Sequence, residues 1–488
     1  MKQHSGSGSV RSTACHPFRR RIAMALAFAA ACGTVGTAAA QSPQSQQSKS
    51  GGTAVVDAIR DPIPGPRNCF WSRGPVSADP YINIAYPDAG TFYWGATFSI
   101  PEGARLSMEG NFPHSRYMSL ISYDGAGVPV ESVADYLIKP ATGAVNPFLP
   151  GANRNAKARG YSLDVLDAAP PADQPVGMNL LGQQRSILHA PKYGPGQQQV
   201  LYRIYARDKG VDETGGVGLP VPVLTLADGR VLRGDAACPA LRTRQPLQID
   251  PAALAVPMEK YHELVATARE VGKEKHQPAF PATSPPTWFI QYDREYLYSL
   301  YTGKPLTSPK KSTGGFYPNL DNQYIRTIVN RKLGKVFVIR AKAPTTPRTA
   351  NGDAVMGTGE LRYWSMCSNQ GFANTRVNGC VYDEQVPVGP DGFYTIVVSR
   401  KEDRPRNATT QCGIAWLPMA DDGDGAEDAD VTVVQLRHML GTTDFPHAVQ
   451  AISKPGDERK VMGDYYPAGR YMSTSAFEIA VPCMQDKH

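Results

Sequence analysis

Beyond its first 40 residues the chain contains no apolar run that approaches the roughly 20 residues of a membrane-spanning helix. It also lacks the G-x-S-x-G and H-E-x-x-H motifs, a glycine-rich phosphate loop and any C-x-x-C pair. These absences remove the usual signatures of serine hydrolases, zinc peptidases, P-loop nucleotide binders and zinc ribbons. Glycine and proline, in contrast, are abundant with 46 and 42 residues, which favours a turn-rich, mainly β protein.

The first 40 residues have the pattern of a secretory signal peptide. Three arginines at 19–21 precede an apolar run at 22–31, and small residues up to 38–40 permit cleavage before Gln41. The export route stays open between the Sec pathway, the twin-arginine route and lipoprotein attachment at Cys32. Residues 41–60 then form a polar, disordered leader. We expect a periplasmic or secreted protein.

Removal of this segment leaves the chain close to neutral. It takes away five basic and no acidic residues, so the formal charge of +7 falls to +2. A near-neutral protein lacks the basic surface on which nucleic-acid binding depends. We therefore expect no nucleic-acid partner, and no transmembrane segment in the mature chain.

Six cysteines remain beyond residue 40, and an even number in an exported chain predicts disulfides. Their positions favour one long bridge around the first repeat, one local bridge and one that holds the C-terminus. The favoured pairs are Cys69 with Cys238, Cys367 with Cys380, and Cys412 with Cys483. Zinc is the competing interpretation, which the missing C-x-x-C pair disfavours.

A strand-like sequence that occurs twice organises the chain. The pattern Arg-Tyr-(Met/Trp)-Ser-(apolar), followed by an apolar residue or Cys and then Ser, stands at 116–122 and again at 362–368. Further segments suggest the same order in both halves: 321–325 with 78–82, 336–344 with 97–101, 393–399 with 201–206, and 414–418 with 217–220. Aromatic and β-branched residues between Gly and Pro are typical of strands.

The repeat predicts a mainly β fold of two tandem, related β-sandwich domains of jelly-roll-like form. We place the first domain at 61–245 and the second at 288–488. Residues 246–287 connect them through a helix, capped by Asp250 and interrupted at Pro257, and a proline-rich link.

Four sequence features in the second half occur together: a Trp-Ser strand at 363–365, an Asp-Gly-x-x-Thr-Ile strand at 391–396, a Trp-Leu-Pro turn at 416–418 and a closing strand at 433–437. In this combination the chain resembles a bacterial exported domain-of-unknown-function family. The resemblance covers about residues 358–440 and implies a jelly-roll-like β-sandwich. It departs from the family in lacking the Asn before Trp-Leu-Pro and in its acidic loop, and it implies no established chemistry.

The repeated strands and one turn supply candidate ligand-binding residues. An arginine beside large apolar groups can clamp an anionic or sugar ligand, with Trp364 stacking on it. The alternative is a core strand whose arginine meets an internal carboxylate. The turn at 319–324 concentrates amides, a carboxylate and an aromatic ring, although such residues also form ordinary turns. The candidates are Arg116, Tyr117, Asn319, Asp321, Asn322, Tyr324, Arg362, Tyr363 and Trp364.

Histidine is scarce, and a metal site is the weaker hypothesis. His438 and His447 flank Asp444, and with His114 they offer mixed ligands for a divalent metal. Their spacings match no standard ligand motif. We predict no cofactor, and a divalent metal remains possible.

Three functions remain open at this stage. The first is an exported protein that binds a polar small molecule or polymer, such as a saccharide. The second is a hydrolase or lyase whose site combines Arg, Tyr, Asp and His. The third is a structural protein of the cell envelope. Binding predicts aromatic and amide side chains around one groove, and catalysis predicts close titratable groups in a deep pocket.

Overall fold

The computed structural model describes residues 63–172, 183–245, 247, 249–310 and 317–483. The predicted signal peptide and the whole of the leader at 41–60 lie outside the described residues. The chain is mainly β, and its strands form four sheets that make two tandem β-sandwiches. The fold class expected from the sequence is confirmed.

The first sandwich contains ten strands. They are β1 (Arg73–Val76), β2 (Thr91–Phe98), β3 (Arg105–Asn111), β4 (Ser115–Tyr123), β5 (Pro129–Ala134), β6 (Gly160–Leu166), β7 (Ile187–His189), β8 (Gln198–Arg207), β9 (Val221–Thr225) and β10 (Val231–Arg233). One sheet has the order β1-β2-β8-β4-β5 and the other the order β10-β9-β3-β6-β7.

The second sandwich contains nine strands. They are β11 (Phe289–Ile290), β12 (Asn322–Asn330), β13 (Val336–Lys342), β14 (Leu361–Asn369), β15 (Val377–Tyr382), β16 (Phe393–Ser399), β17 (Ala415–Pro418), β18 (Val431–Gly441) and β19 (Ala468–Met472). Its sheets have the orders β11-β12-β18-β14-β15 and β17-β16-β13-β19.

The two sandwiches repeat one topology. β1-β2-β8-β4-β5 corresponds strand for strand to β11-β12-β18-β14-β15, and β9-β3-β6-β7 corresponds to β19-β13-β16-β17. The only parallel strand pairs among the named strands of the described chain, β6 with β7 and β16 with β17, fall at the same place in both. The Arg-Tyr repeats lie in the equivalent strands β4 and β14, so the duplication is present in the fold.

The four other pairings of segments are wrong. β12 corresponds to β2 and not to residues 78–82, and β13 corresponds to β3 and not to residues 97–101. Likewise β16 matches β6, and β17 matches β7, where the sequence suggested 201–206 and 217–220. Short aromatic and β-branched runs resemble one another whichever strand they form, so composition alone does not fix the correspondence.

The central strands of the two corresponding sheets are buried on both faces. Every residue of β4 and β18 is buried, as are eight of the nine residues of β14. A strand of a single sandwich exposes alternate residues, and the exposed face is missing here because the two sandwiches pack against each other. Tyr205 of β8, for example, meets Tyr363 of β14 edge to face at 5.5 Å between ring centroids.

Six α-helices lie between or after the strands of the described chain. They are α1 (Cys238–Leu241), α2 (Pro251–Leu254), α3 (Met258–Glu274), α4 (Arg294–Tyr301), α5 (Glu458–Met462) and α6 (Thr474–Ala480). Asp250 caps α2 by accepting from the Ala252 N–H at 2.9 Å, and the break before α3 falls at Pro257. The domain boundaries at 245 and 288 stay a prediction.

Three disulfides join the pairs that the sequence favours. Cys69 bonds to Cys238, Cys367 to Cys380, and Cys412 to Cys483. Because such bonds persist where thiols are not kept reduced, they indicate a compartment outside the cytoplasm. None of the helices among the described residues has the length and apolar character needed to cross a bilayer.

Candidate functional site

Reciprocal arginine contacts join the two sandwiches. Arg116 of β4 reaches into the second sandwich, where its Nη1 lies 3.0 Å from both carboxylate oxygens of Asp383 and its Nη2 donates to Glu384. Arg362, at the equivalent position of β14, reaches into the first sandwich and pairs with Asp135 at 3.5 Å. Each guanidinium also donates to the backbone carbonyl of the other arginine.

The carboxylates of these contacts are themselves at equivalent positions. Asp135 accepts from the backbone N–H of Met118 at 2.9 Å, and Asp383 accepts from that of Trp364 at 3.2 Å. Burial raises the pKa of Asp135 to about 7 although Arg362 opposes the shift, and burial also raises the pKa of Asp383 against the effect of Arg116. The arginines therefore hold the sandwiches together and are not free to bind a ligand.

A cavity of about 510 Å³ is lined by residues of both sandwiches. We call it the interdomain cavity. From the first sandwich its wall includes Tyr93, Arg203 and Tyr205, and from the second Tyr324, Arg326 and Arg437. Arg203 lies over the Tyr93 ring at 5.6 Å, and Arg437 over the Tyr324 ring at 5.1 Å.

These two arginine–tyrosine pairs are equivalent in the duplicated fold. Tyr93 pairs with Arg203 between β2 and β8, and Tyr324 pairs with Arg437 between β12 and β18. The register of β4 on β8 places Ser119 opposite Arg203, and that of β14 on β18 places Ser365 opposite Arg437. The cavity is thus built from two copies of one arrangement.

The turn that leads into β2 and β12 is also repeated. Tyr86 and Tyr317 both have a positive φ, of 54° and 45°, and each is followed by a proline. The next residue is Asp88 in the first copy and Asn319 in the second. Asp88 accepts from the Gly90 N–H at 2.8 Å, and Asn319 accepts from the Asp321 N–H at 3.0 Å. Asp88 and Asn319 are therefore equivalent positions that differ in charge.

Asp88 neutralises the arginine of the second sandwich. Its Oδ2 accepts from Arg437, from the Tyr363 hydroxyl at 2.8 Å and from the Ser365 hydroxyl at 2.6 Å. Burial alone would lower the pKa of Arg437, but Asp88 and the neighbouring tyrosines raise it well above its ordinary value. We call this group of four residues the Asp88 half-site.

The equivalent group in the first sandwich, the Asn319 half-site, consists of Asn319, Tyr117, Ser119 and Arg203. Its Arg203 is 2% exposed, forms no ion pair with a described carboxylate, and donates its Nη2 to the Tyr317 carbonyl at 2.7 Å. Within the described chain, Arg203 Nη1, Asn319 Nδ2 and Ser119 Oγ have no hydrogen-bond partner. In the Asp88 half-site only Arg437 Nε lacks a partner among the described residues and its guanidinium has a carboxylate, whereas the Asn319 half-site has three atoms without a partner and no carboxylate.

The cavity wall carries an excess of positive charge. Four arginines line it, and Asp293 is the one acidic residue in its described lining. Arg326, which is 8% exposed, donates to Gln435 at 2.6 Å and stacks on Tyr86 at 4.6 Å, and burial lowers its pKa. Residues 311–316, which lie outside the described residues, contain no acidic residue.

The candidate ligand residues separate into three groups. Asn319 and Tyr324 line the cavity. Tyr117, Asp321, Asn322 and Tyr363 form a buried hydrogen-bonded layer behind it, in which the Tyr117 hydroxyl donates to Asp321 at 2.6 Å. Arg116, Arg362 and Trp364 are structural, since the arginines join the sandwiches and Trp364 stacks on Tyr394 in the second core at 4.9 Å.

The structure does not assemble the predicted metal site. His438 is buried in β18 and accepts from the Val449 N–H at 3.2 Å, whereas Asp444 is exposed. His447 contacts the Val461 carbonyl, and His114 lies in the first sandwich beside Arg159. In the described chain, ligand atoms close enough for a metal occur in two groups, each of which relies on a disulfide-bonded cysteine pair. The fold does not bring His114, His438, Asp444 and His447 together, and the His/Asp metal site stays a prediction without support from this geometry.

The buried imidazole of His438 predicts a pH effect on stability. Burial lowers the pKa of His438 from 6.5 to about 3, so the unfolded chain binds a proton there more readily than the folded one. The native state should lose stability as the pH falls from about 6.5 toward 3, by at most about 1.4 kcal/mol per pH unit from this residue. In His438→Gln, which keeps an acceptor for the Val449 N–H, urea unfolding between pH 7 and 4 should show a shallower loss. An unchanged slope would contradict the assignment.

Sequence reasoning missed Asp88, Arg203, Arg326 and Arg437. A signal was present in the repeated Tyr-Pro-(Asp/Asn) at 86–88 and 317–319, which the mistaken alignment of 321–325 with 78–82 concealed. A second signal was the single arginine inside each of the apolar strands β8 and β18. A lone charge in a strand buried on both faces requires a partner or a function.

No family model matches the chain, and no curated protein matches it. Among solved structures, an uncharacterized protein from Burkholderia cenocepacia is 13% identical, covers 81% of this chain and 79% of its own, and has a TM-score of 0.39. The VPA0106 protein from Vibrio parahaemolyticus is 11% identical, covers 80% of this chain and 91% of its own, and has a TM-score of 0.35.

Proposed function

We propose that this protein binds a small organic anion in the interdomain cavity. The observation that carries the proposal is Arg203, a buried guanidinium on the cavity wall whose Nη1 lacks a hydrogen-bond partner in the described chain. A buried charge is costly to the folded state unless an opposite charge or hydrogen bonds compensate it. An anionic ligand provides both.

The charge balance of the cavity supports an anion over a cation. Of the four arginines in its wall, Arg437 is neutralised by Asp88, whereas Arg203 and Arg326 have no carboxylate within ion-pair distance among the described residues. Asp321 interacts electrostatically with Arg203, but its carboxylate is hydrogen-bonded to Tyr117 and burial raises its pKa. A ligand with at least one negative charge would complete the balance.

The rest of the wall supports a ligand with an apolar body. Leu254, Val256, Phe289 and Tyr296 line the cavity away from the half-sites. A volume of about 510 Å³ lies within the range of about 300–1,000 Å³ that is usual for small-molecule sites. The ligand would place its anionic group against the arginines and its body against these side chains.

This proposal narrows the polar-ligand hypothesis that the sequence suggested. A charged sugar such as a uronic acid is compatible with the arginine and amide groups of the wall. Catalysis has less support, because the described cavity lining contains no histidine and a single carboxylate, that of Asp293, which caps α4 by accepting from the Tyr296 N–H. A purely structural role leaves the unpaired donors of Arg203 without a purpose.

Export is part of the same proposal. The signal-peptide pattern of residues 1–40 and the disulfides support a periplasmic or secreted location. The resemblance of residues 358–440 to an exported bacterial family supports it as well. A binding protein in such a compartment would meet small organic anions from the surroundings.

Thermal unfolding of the mature protein tests the proposal. Organic anions (benzoate, octanoate, glucuronate) should raise the melting temperature, whereas neutral analogues (benzamide, octanol, glucose) should not. A ligand at a hundredfold excess over its Kd stabilises the native state by about 2.7 kcal/mol.

The control variants separate the cavity from the surface. Arg203→Met should abolish the anion-dependent rise, and Arg230→Met, which removes an exposed arginine, should preserve it. Equal responses to the anions and their neutral analogues would contradict the proposal.

A further inference from the structure

The Asp88 half-site shows which group the Asn319 half-site is built to hold. In the former, a carboxylate lies against a buried arginine of β18 and accepts hydrogen bonds from Tyr363 and Ser365. In the latter, the residue at the same position of the repeated turn is an amide. The fold therefore contains one arginine with a built-in carboxylate and one equivalent arginine without it.

Where Asp88 presents only acceptors, Asn319 presents a hydrogen-bond donor, its amide nitrogen. Its Oδ1 is fixed by the Asp321 N–H at 3.0 Å, so its Nδ2 is the remaining polar atom of the side chain. This Nδ2 and Nη1 of Arg203 are both buried and both without a partner in the described chain, and the two residues line the same cavity. Two unpaired donors, one of them charged, form an acceptor-specific site.

We infer that the ligand of the interdomain cavity is a monocarboxylate whose carboxylate group binds Arg203 and Asn319, and this inference rests on the proposed function. One oxygen of the planar group accepts from Arg203 Nη1, and the other accepts from Asn319 Nδ2. The ligand thereby supplies to the first sandwich the negative charge that Asp88 supplies to the second.

A carboxylate fits this site better than a phosphate does. The half-site offers two unpaired donor nitrogens, which match the two oxygens of a carboxylate, and one arginine without a carboxylate partner. A phosphate monoester carries between one and two negative charges and three acceptor oxygens. Its third oxygen would lack an unpaired half-site donor in the cavity wall, because Ser119, the third unpaired group, is not among the described residues that line the cavity. The buried acid Asp321 behind the half-site also opposes a second negative charge.

Because residue 319 is an asparagine and not an aspartate, its side chain cannot form an ion pair with Arg203. An aspartate there would pair with Arg203 as Asp88 pairs with Arg437, and the half-site would then be complete without a ligand. Asn319→Asp should therefore act as an internal competitor. It adds one negative charge at the place where the ligand's carboxylate binds.

Isothermal titration calorimetry with three matched probes tests the inference. Phenylacetate should bind the wild-type protein. Phenylacetamide and phenylphosphonate should bind at least about tenfold more weakly, because the loss of one charge-assisted hydrogen bond raises Kd by about that factor. Arg203→Met and Asn319→Asp should each weaken phenylacetate binding by at least about tenfold. Arg230→Met should bind phenylacetate as the wild type does.

The outcomes distinguish the two levels of the proposal. If neither phenylacetate nor phenylphosphonate binds, both the proposed function and the carboxylate inference are wrong. If phenylphosphonate binds more tightly than phenylacetate, or if Asn319→Asp retains wild-type affinity for phenylacetate, the cavity still binds anions but the carboxylate inference is wrong. Thermal unfolding of each variant shows whether a loss of binding comes from unfolding. If Asn319→Asp does not fold, the phenylacetate affinity of Arg203→Met tests the carboxylate inference instead.

Discussion

Replacing Asp88 with asparagine should lower the free energy of unfolding by about 3–5 kcal/mol, the usual cost of removing one partner of a buried ion pair. Asp88 is fully buried and is the carboxylate that neutralises Arg437. The Asp88→Asn change leaves that guanidinium buried without a counter-ion. It also places an amide nitrogen among donors from Tyr363 and Ser365.

Urea unfolding followed by tryptophan fluorescence measures this effect. The matched control is Asp228→Asn, which breaks the surface ion pair between Asp228 and Arg230 at 2.7 Å and should cost little, because solvent screens an exposed ion pair. Because Asp88 belongs to the first sandwich and Arg437 to the second, the variant should also weaken the contact between them. A cost no larger than that of Asp228→Asn would show that the Asp88 half-site does not hold the sandwiches together.

Removing the disulfide between Cys69 and Cys238 should have the second large effect. The two cysteines are 169 residues apart, whereas Cys367 and Cys380 are 13 apart. In the chain-entropy account, a bridge stabilises the native state by limiting the unfolded chain, and its effect grows with the loop that it closes. We expect a loss of about 5 kcal/mol for the long bridge and about 3 kcal/mol for the short one.

Paired alanine variants provide the comparison. Urea unfolding compares two double variants with the oxidised wild type. One carries Cys69→Ala with Cys238→Ala, and the other carries Cys367→Ala with Cys380→Ala. The variant without the 69–238 bridge should have the lower free energy of unfolding. If the variant without the 367–380 bridge is the less stable, lost packing around the buried Cys367 outweighs the loop effect, and the expected order is wrong.

The duplication was predictable because it repeats a chemically unusual sequence. The seven-residue pattern Arg-Tyr-(Met/Trp)-Ser-(apolar)-(apolar/Cys)-Ser, which recurs at 116–122 and 362–368, identified β4 and β14 as equivalents. The disulfide pairs were favoured by their positions in the two halves. The other strands could not be matched in this way, because an apolar run such as that of β13 fits several strands of the first sandwich equally well.

The ligand site was less predictable, since it depends on contacts between the halves. Arg116 and Arg203 look alike in the sequence, as arginines with apolar and aromatic neighbours within strands. Tertiary packing gives Arg116 two carboxylates and gives Arg203 none within ion-pair distance among the described residues. Trp364 looked like a stacking platform for a ligand and instead fills the second core beside Tyr394. Only the contacts between the two sandwiches distinguish Arg116, which forms structural ion pairs, from Arg203, which we propose binds a ligand.

A crystal structure of the mature protein grown with phenylacetate tests the central claim most directly. The claim is that a duplicated fold, with an asparagine in place of one of two aspartates, leaves Arg203 free for a ligand. The expected result is a carboxylate within hydrogen-bonding distance of Arg203 Nη1 and Asn319 Nδ2, and a phenyl ring against the apolar wall of the interdomain cavity. A side-chain carboxylate of the protein paired with Arg203, and phenylacetate absent from the cavity, would contradict the claim.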